Sequence, residues 1–151
     1  MSMISVTLPD GSINEYTTGI TAGEIVIDIE GRKHDCVAAM VDGEQKDFSA
    51  TLDSDCSVTG ISAFDDDGMY ILRHSAAHLL AQAITSLYPD AKPTIGPPVD
   101  RGFYYDFADL NDFGEADLKA VQKKMHELAR RNLTLERKEC TDTELEELFA
   151  S

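Results

Sequence analysis

Apolar and polar side chains alternate from Ser2 to Leu8, with Ile4, Val6 and Leu8 on one face. That period of two predicts a half-buried strand. Pro9-Asp10-Gly11 is turn chemistry, because proline presets φ and glycine accepts a positive one. Ile13–Thr17 then predicts the returning strand. Thr21-Ala22-Gly23-Glu24 has the T-x-x-E form of a capping box. It opens a predicted helix over Ala22–Glu30, with Ile25, Ile29 and Val26 toward a core and Gly31 closing it in the left-handed conformation. Val37–Val41 is an apolar run that predicts a buried strand, Asp42-Gly43 is a hairpin turn signal, and Ser57–Ala63 predicts a last strand. Two hairpins around one helix form the ubiquitin-like β-grasp pattern, and a core containing Leu8, Ile25, Val37 and Val41 is expected. About 60 residues is close to the smallest chain that buries a sufficient core unaided.

The pattern changes at Asp65-Asp66-Asp67-Gly68, which reads as a linker or boundary whose acids can also serve the N-terminus of the next helix. A long helix is predicted from Met69 to Leu87. Its apolar stripe is Leu72, Ala76, Leu79, Leu80, Ala83 and Leu87, and Pro89 stops it. A Pro-rich loop at Ile95-Gly96-Pro97-Pro98 leads into an aromatic strand, Gly102–Phe107. A helix over Glu115–Arg131, a strand over Leu133–Cys140 and a second capping box, Thr141 to Glu144, complete the order. The whole is α+β: a β-grasp over residues 1–64 and a separate α+β unit over 65–151.

Charge narrows the function. The 151 residues carry 13 Lys and Arg against 28 Asp and Glu, a formal net charge of −15. Neutralising many phosphates takes clustered Lys and Arg, so a simple nucleic-acid binder is disfavoured. One stretch runs the other way. Lys119, Lys123, Lys124, Arg130, Arg131, Arg137 and Lys138 face only Glu127 and Glu136 within residues 119–138. It is either a solvated helix face plus a polar strand, or a local contact with phosphates. No apolar run approaches the roughly 20 residues that span a bilayer. The N-terminus has neither the basic nor the apolar region of a secretory signal. Cys36, Cys56 and Cys140 are odd in number and widely spaced, which argues for reduced thiols rather than disulfides or a zinc ribbon.

The chemistry concentrates in Arg73-His74-Ser75-Ala76-Ala77-His78. Histidines four apart on a helix project side by side and can share a metal, a water or a substrate group. Ser75 stands where the H-E-x-x-H of metalloproteases needs its glutamate, and two ligands alone do not make a zinc site. Small neighbours at 75–77 let a ligand approach the helix. Tyr104 and Tyr105 point to opposite faces of their strand, one toward a core and one free to hydrogen-bond. His34 and His126 are assigned to the surface. No Gly-rich phosphate loop and no Ser-His-Asp arrangement can be argued.

Taken together, Val6-Thr7-Leu8-Pro9-Asp10-Gly11-Ser12 resembles the start of a TGS domain. The later motifs, Arg73–Leu80, Ile95-Gly96-Pro97 and Gly102-Phe103-Tyr104-Tyr105-Asp106, with Lys124–Leu128 behind them, resemble the editing domain of threonyl-tRNA synthetases of the bacterial type. The resemblance covers essentially the whole chain in order and spacing. Its TGS part alone is less specific, because GTPases and stringent-response enzymes share that domain.

The resemblance implies that editing hydrolyses serine mischarged onto threonine tRNA. It implies that His74 and His78 are catalytic and that Tyr105 binds substrate. It also implies that the family's C-x-x-x-H element, lysine and aspartate lie beyond residue 151, so the chain is an N-terminal fragment, expected to be inactive alone. No metal and no other cofactor is expected here; ATP and zinc belong to the synthetase core. The expected partner is threonine tRNA, held weakly by this piece, with no DNA and no membrane. The full enzyme is expected to be a cytoplasmic homodimer through other domains. The alternatives are a non-catalytic TGS-type module binding RNA or protein, and a stand-alone metal-dependent hydrolase.

Overall fold

A computed structural model describes residues 2–133 and 138–149. The first part contains β1 (Met3–Thr7), β2 (Ile13–Thr17), β3 (Ile20–Thr21), α1 (Ala22–Glu30), β4 (Cys36–Val41), β5 (Glu44–Lys46), β6 (Thr51–Leu52) and β7 (Cys56–Ser62). Five of these strands form a sheet in the order β2-β1-β7-β4-β5. Its central pair, β1 and β7, is parallel, and the other pairs are antiparallel. β3 and β6 add a two-residue bridge.

The hairpins follow from local chemistry. Asp42 at φ 49° and Gly43 at φ 82° give the positive-φ pair of a tight turn between β4 and β5. At α1, the Thr21 hydroxyl accepts the Glu24 N–H at 3.2 Å, and the Glu24 carboxylate accepts the Thr21 N–H at 2.9 Å. Gly31 ends the helix with φ 82° and ψ 170°. This is positive φ, but outside the left-handed helical well expected from the sequence. Ile25 and Val26 are fully buried against Ile4, Val6, Ala39, Val41 and Val58, while Leu8 and Ile29 pack at the edge. Val37 is only half-buried and lies outside that cluster, because the pairing of β4 with β7 shifts register between Cys36 and Ala38 and leaves Val37 as the extra, unpaired residue there.

The second part holds α2 (Asp66–Leu87), β8 (Lys92–Ile95), β9 (Pro98–Val99), β10 (Gly102–Phe103), β11 (Asp106–Ala108), α3 (Glu115–Arg130) and α4 (Asp142–Phe149). α2 begins three residues earlier than expected. Asp66, Asp67 and Gly68 are its first turn rather than a linker, with Asp65 at the N-cap. Two acids there complement the helix dipole. The stripe is also turned from the expected one. Leu72 and Leu87 are 40% and 38% exposed, whereas Gly68, Ala77, Ala81, Ala83 and Ile84 are buried. Small residues on that face let α2 lie close against its neighbours. The helix touches β4 and β7 at its start and α3 farther along. Ala83, Ile84, Ala91, Val121 and Leu128 form a second buried cluster with Leu79, Leu80, Tyr88, Phe107 and Phe113 around it.

The aromatic segment is two strands, not one. β10 pairs with β9 and β11 pairs with β8, both antiparallel. Together they make a hairpin from Lys92 to Ala108, interrupted midway. Gly96-Pro97 on one arm and Tyr104-Tyr105 on the other lie between the paired stretches. The proline-rich loop expected from the sequence is therefore one arm of a hairpin. Of the strand expected at Leu133–Cys140, residues 134–137 lie outside the described residues, and Leu133 and residues 138–140 are not in a strand.

Candidate functional site

The best-defined polar arrangement is on α2. His74 Nε2 and His78 Nε2 are 2.9 Å apart, and the rings stack with centroids 4.7 Å apart and an interplanar angle of 23°. One ring must donate its Nε2–H and the other accept it. Both side chains are exposed, and Ser75 beside them is exposed too. Tyr70, one turn earlier, presents its ring edge-on to His74 at 6.3 Å. The spacing 70, 74, 78 carried that contact in the sequence, and it was missed because only the histidines suggested chemistry.

The hairpin is anchored next to this pair. The Arg73 guanidinium donates to the Val99 carbonyl oxygen at 3.2 Å, tying the hairpin tip to α2 one residue from His74. His78, with Ser75, Leu79, Gln82, Leu128 and Leu133, lines an open cleft of about 760 Å³. This combination of apolar walls and a few polar groups is typical of small-ligand sites.

Tyr105 lies elsewhere. Its ring stacks on Phe107 with centroids 4.9 Å apart, and it lines a second cleft of about 640 Å³ with Leu80, Ile84 and Phe113. Tyr104 is 49% exposed. The structure thus brings His74 and His78 together and leaves Tyr105 in a separate cleft that shares no lining residue with theirs. Gly96 sets the position of Tyr105. A Cβ there would lie 2.1 Å from the Tyr105 ring, so only glycine allows the ring to rest on that backbone. The Gly-Pro pair marked a turn in the sequence, but not this close approach.

The remaining candidates are structural. His34, expected at the surface, is half-buried: its Nδ1 accepts the Cys36 N–H at 3.1 Å and its ring meets Phe48 edge-on. His126 is exposed. All three cysteines are free. Burial pushes the Cys36 and Cys56 thiols up, away from the reactive thiolate. Among the described residues, no group of three or more His, Cys, Asp or Glu is placed to hold a metal ion. No described helix is long and apolar enough to cross a membrane.

The family model for the TGS domain matches residues 4–60, the five-stranded sheet with α1. Residues 4–60 are a TGS domain. The similarity extends past it. The chain is 42% identical over 150 residues to the threonine–tRNA ligases of Burkholderia multivorans and Burkholderia mallei, and 41% to that of Paraburkholderia phytofirmans. Each alignment covers 99% of this chain and 24% of the relative. The chain therefore spans about a quarter of the length of these curated relatives, matching their N-terminal part. The TGS domain accounts for less than half of the aligned residues, so α2, its histidines and the hairpin lie within the similarity.

Proposed function

We propose that this chain works as the N-terminal part of a threonine–tRNA ligase, with residues 1–64 as its TGS domain and residues 65–151 as the first part of an editing domain. In that domain, serine mischarged onto threonine tRNA is hydrolysed. The observation that carries the reading is the 2.9 Å His74–His78 pair on a helix of small residues, within a chain so similar to those ligases.

Specificity explains why such a site is needed. Serine lacks one methyl of threonine, and a methyl distinguishes substrates by only about 10–200-fold. A second site must remove the smaller amino acid. Hydrolysis requires a water to add to the ester carbonyl carbon while losing a proton. The imidazole that donates its Nε2–H within the pair keeps a free lone pair on Nδ1 and is suited to take it. As the tetrahedral species collapses, the bond to the ribose oxygen breaks, and that oxygen takes up a proton from the pair. The second imidazole holds the first in one tautomer through the shared Nε2–H.

The test is made in the full-length ligase. His78→Ala should lower seryl-tRNA hydrolysis by about 10²–10⁴-fold, the usual worth of one acid–base group. Threonine activation should be unchanged, and Tyr105→Phe should cost less than His78→Ala. Undiminished deacylation by His78→Ala would sink the reading. A TGS-type binding module without catalysis is the second reading, favoured by the match at residues 4–60. It requires that the histidine substitutions leave editing untouched.

A further inference from the structure

We infer that the outer face of α3 is a phosphate-binding stripe that docks on the RNA backbone of the tRNA substrate. The inference rests on the proposed ligase reading for the identity of that RNA. At 3.6 residues per turn, Lys119, Lys123, His126 and Arg130 fall in one row on the side of α3 opposite Val121 and Leu128. The two apolar residues are buried against α2, and the four polar ones are exposed. Together with Gln122 and Glu127 the four line a common shallow groove. At 1.5 Å of rise per residue the row is about 16 Å long, enough to face several successive phosphates.

The ion pairing sets this row apart. Glu127 is the one acid bordering the groove, and it is occupied by Lys124 at 3.1 Å and Arg131 at 2.6 Å, both outside the row. Its carboxylate is held below the ordinary range by those two cations. Among the described residues, Lys119, Lys123 and Arg130 have no carboxylate within ion-pair distance. Three unpaired cations sharing one helix face, on a chain of net charge −15, form a local field opposite to that of the rest of the molecule. Polyanions are the complementary partner, and a sugar–phosphate backbone supplies anions in a row. The stripe is away from the His74–His78 pair, so it would hold the RNA body rather than its aminoacylated end.

Counterion release gives the measurement. Each phosphate neutralised contributes about −0.9 to the slope of log K against log salt in a duplex. Binding of this chain to a labelled threonine tRNA transcript is followed through a salt titration. Replacing all three cations with glutamine, Lys119→Gln, Lys123→Gln and Arg130→Gln, should flatten the slope by about 2 to 3. Glutamine keeps the helix propensity close to that of the originals, and circular dichroism checks that the fold is retained. The same change at Lys46 and Lys92, which are already paired with Glu44 and Asp109, should leave the slope nearly unchanged.

An unaltered slope in the triple variant overturns the inference. Displacement of the RNA by polyglutamate at equal charge concentration also overturns it, because the face would then suit acidic proteins rather than phosphates. The two proposals can fail separately: the stripe is read by the salt slope of this chain, and the editing site by deacylation in the ligase carrying His78→Ala.

Discussion

The space a Cβ would occupy at Gly96 is filled by the Tyr105 ring, at 2.1 Å from Cδ2 and 2.3 Å from Cε2. No real side chain tolerates such contacts, so Gly96→Ala must move the ring or the hairpin arm. Overpacking of this kind costs about 1–3 kcal/mol. Urea denaturation should show a loss in that range, and Tyr105 should leave its stack on Phe107. An alanine variant of unchanged stability would mean the ring swings aside freely and that Gly96 does not position it. The site residues differ in how far the sequence revealed them. His74 and His78 were legible because i and i+4 on a helix leave no freedom about which face they share. Tyr105 was legible as a residue, but its neighbours were not. Its place depends on a backbone approach at Gly96, nine positions away in the chain, and no local period encodes that.

At the scale of elements, α1 is the clearest case of local rules deciding the outcome. Its bounds, Ala22 and Glu30, are those its capping box and Gly31 predict. Thr21→Ala removes the hydroxyl that accepts the Glu24 N–H, a change worth about 1 kcal/mol at an N-cap. The expected result is a lower urea midpoint with an unchanged m-value, and restoration by Thr21→Ser. A midpoint unaffected by the alanine would show that burial of Ile25 and Val26 alone holds the helix. Glu24 adds a pH dependence. Hydrogen bonds from the Thr21 N–H and hydroxyl lower its folded pKa. A depressed carboxylate contributes stability above its unfolded value and loses it as pH falls through the folded one. The two elements misread were those decided by tertiary partners. α2 shows leucines at helical spacing on more than one side, and the packed side is the small-residue one, where Gly68 lies against the Ser62 backbone. Gly102–Phe107 alternates like a single strand, but its two ends pair with different partners.

Over the whole molecule, electrostatic self-repulsion is the term that solution conditions can change most. Twenty-eight acids oppose 13 bases, and the four described ion pairs all have an exposed member. Exposed pairs contribute about 0–1 kcal/mol each, less in salt, so their loss on screening is small. The excess of negative charge, by contrast, destabilises the compact state throughout. Raising ionic strength from 0.1 to 1 M shortens the Debye length from about 10 to 3 Å. The melting temperature should therefore rise with potassium chloride, because relief of repulsion outweighs the weakened pairs. The shape of the rise identifies its cause. Screening approaches a limit once the Debye length falls below the spacing between acids, whereas exclusion of salt from the surface keeps strengthening burial as concentration increases. A steep early rise that levels off is expected in calorimetry. A flat or falling melting temperature over the same range would show that the ion pairs, not the net charge, dominate the electrostatics of this fold.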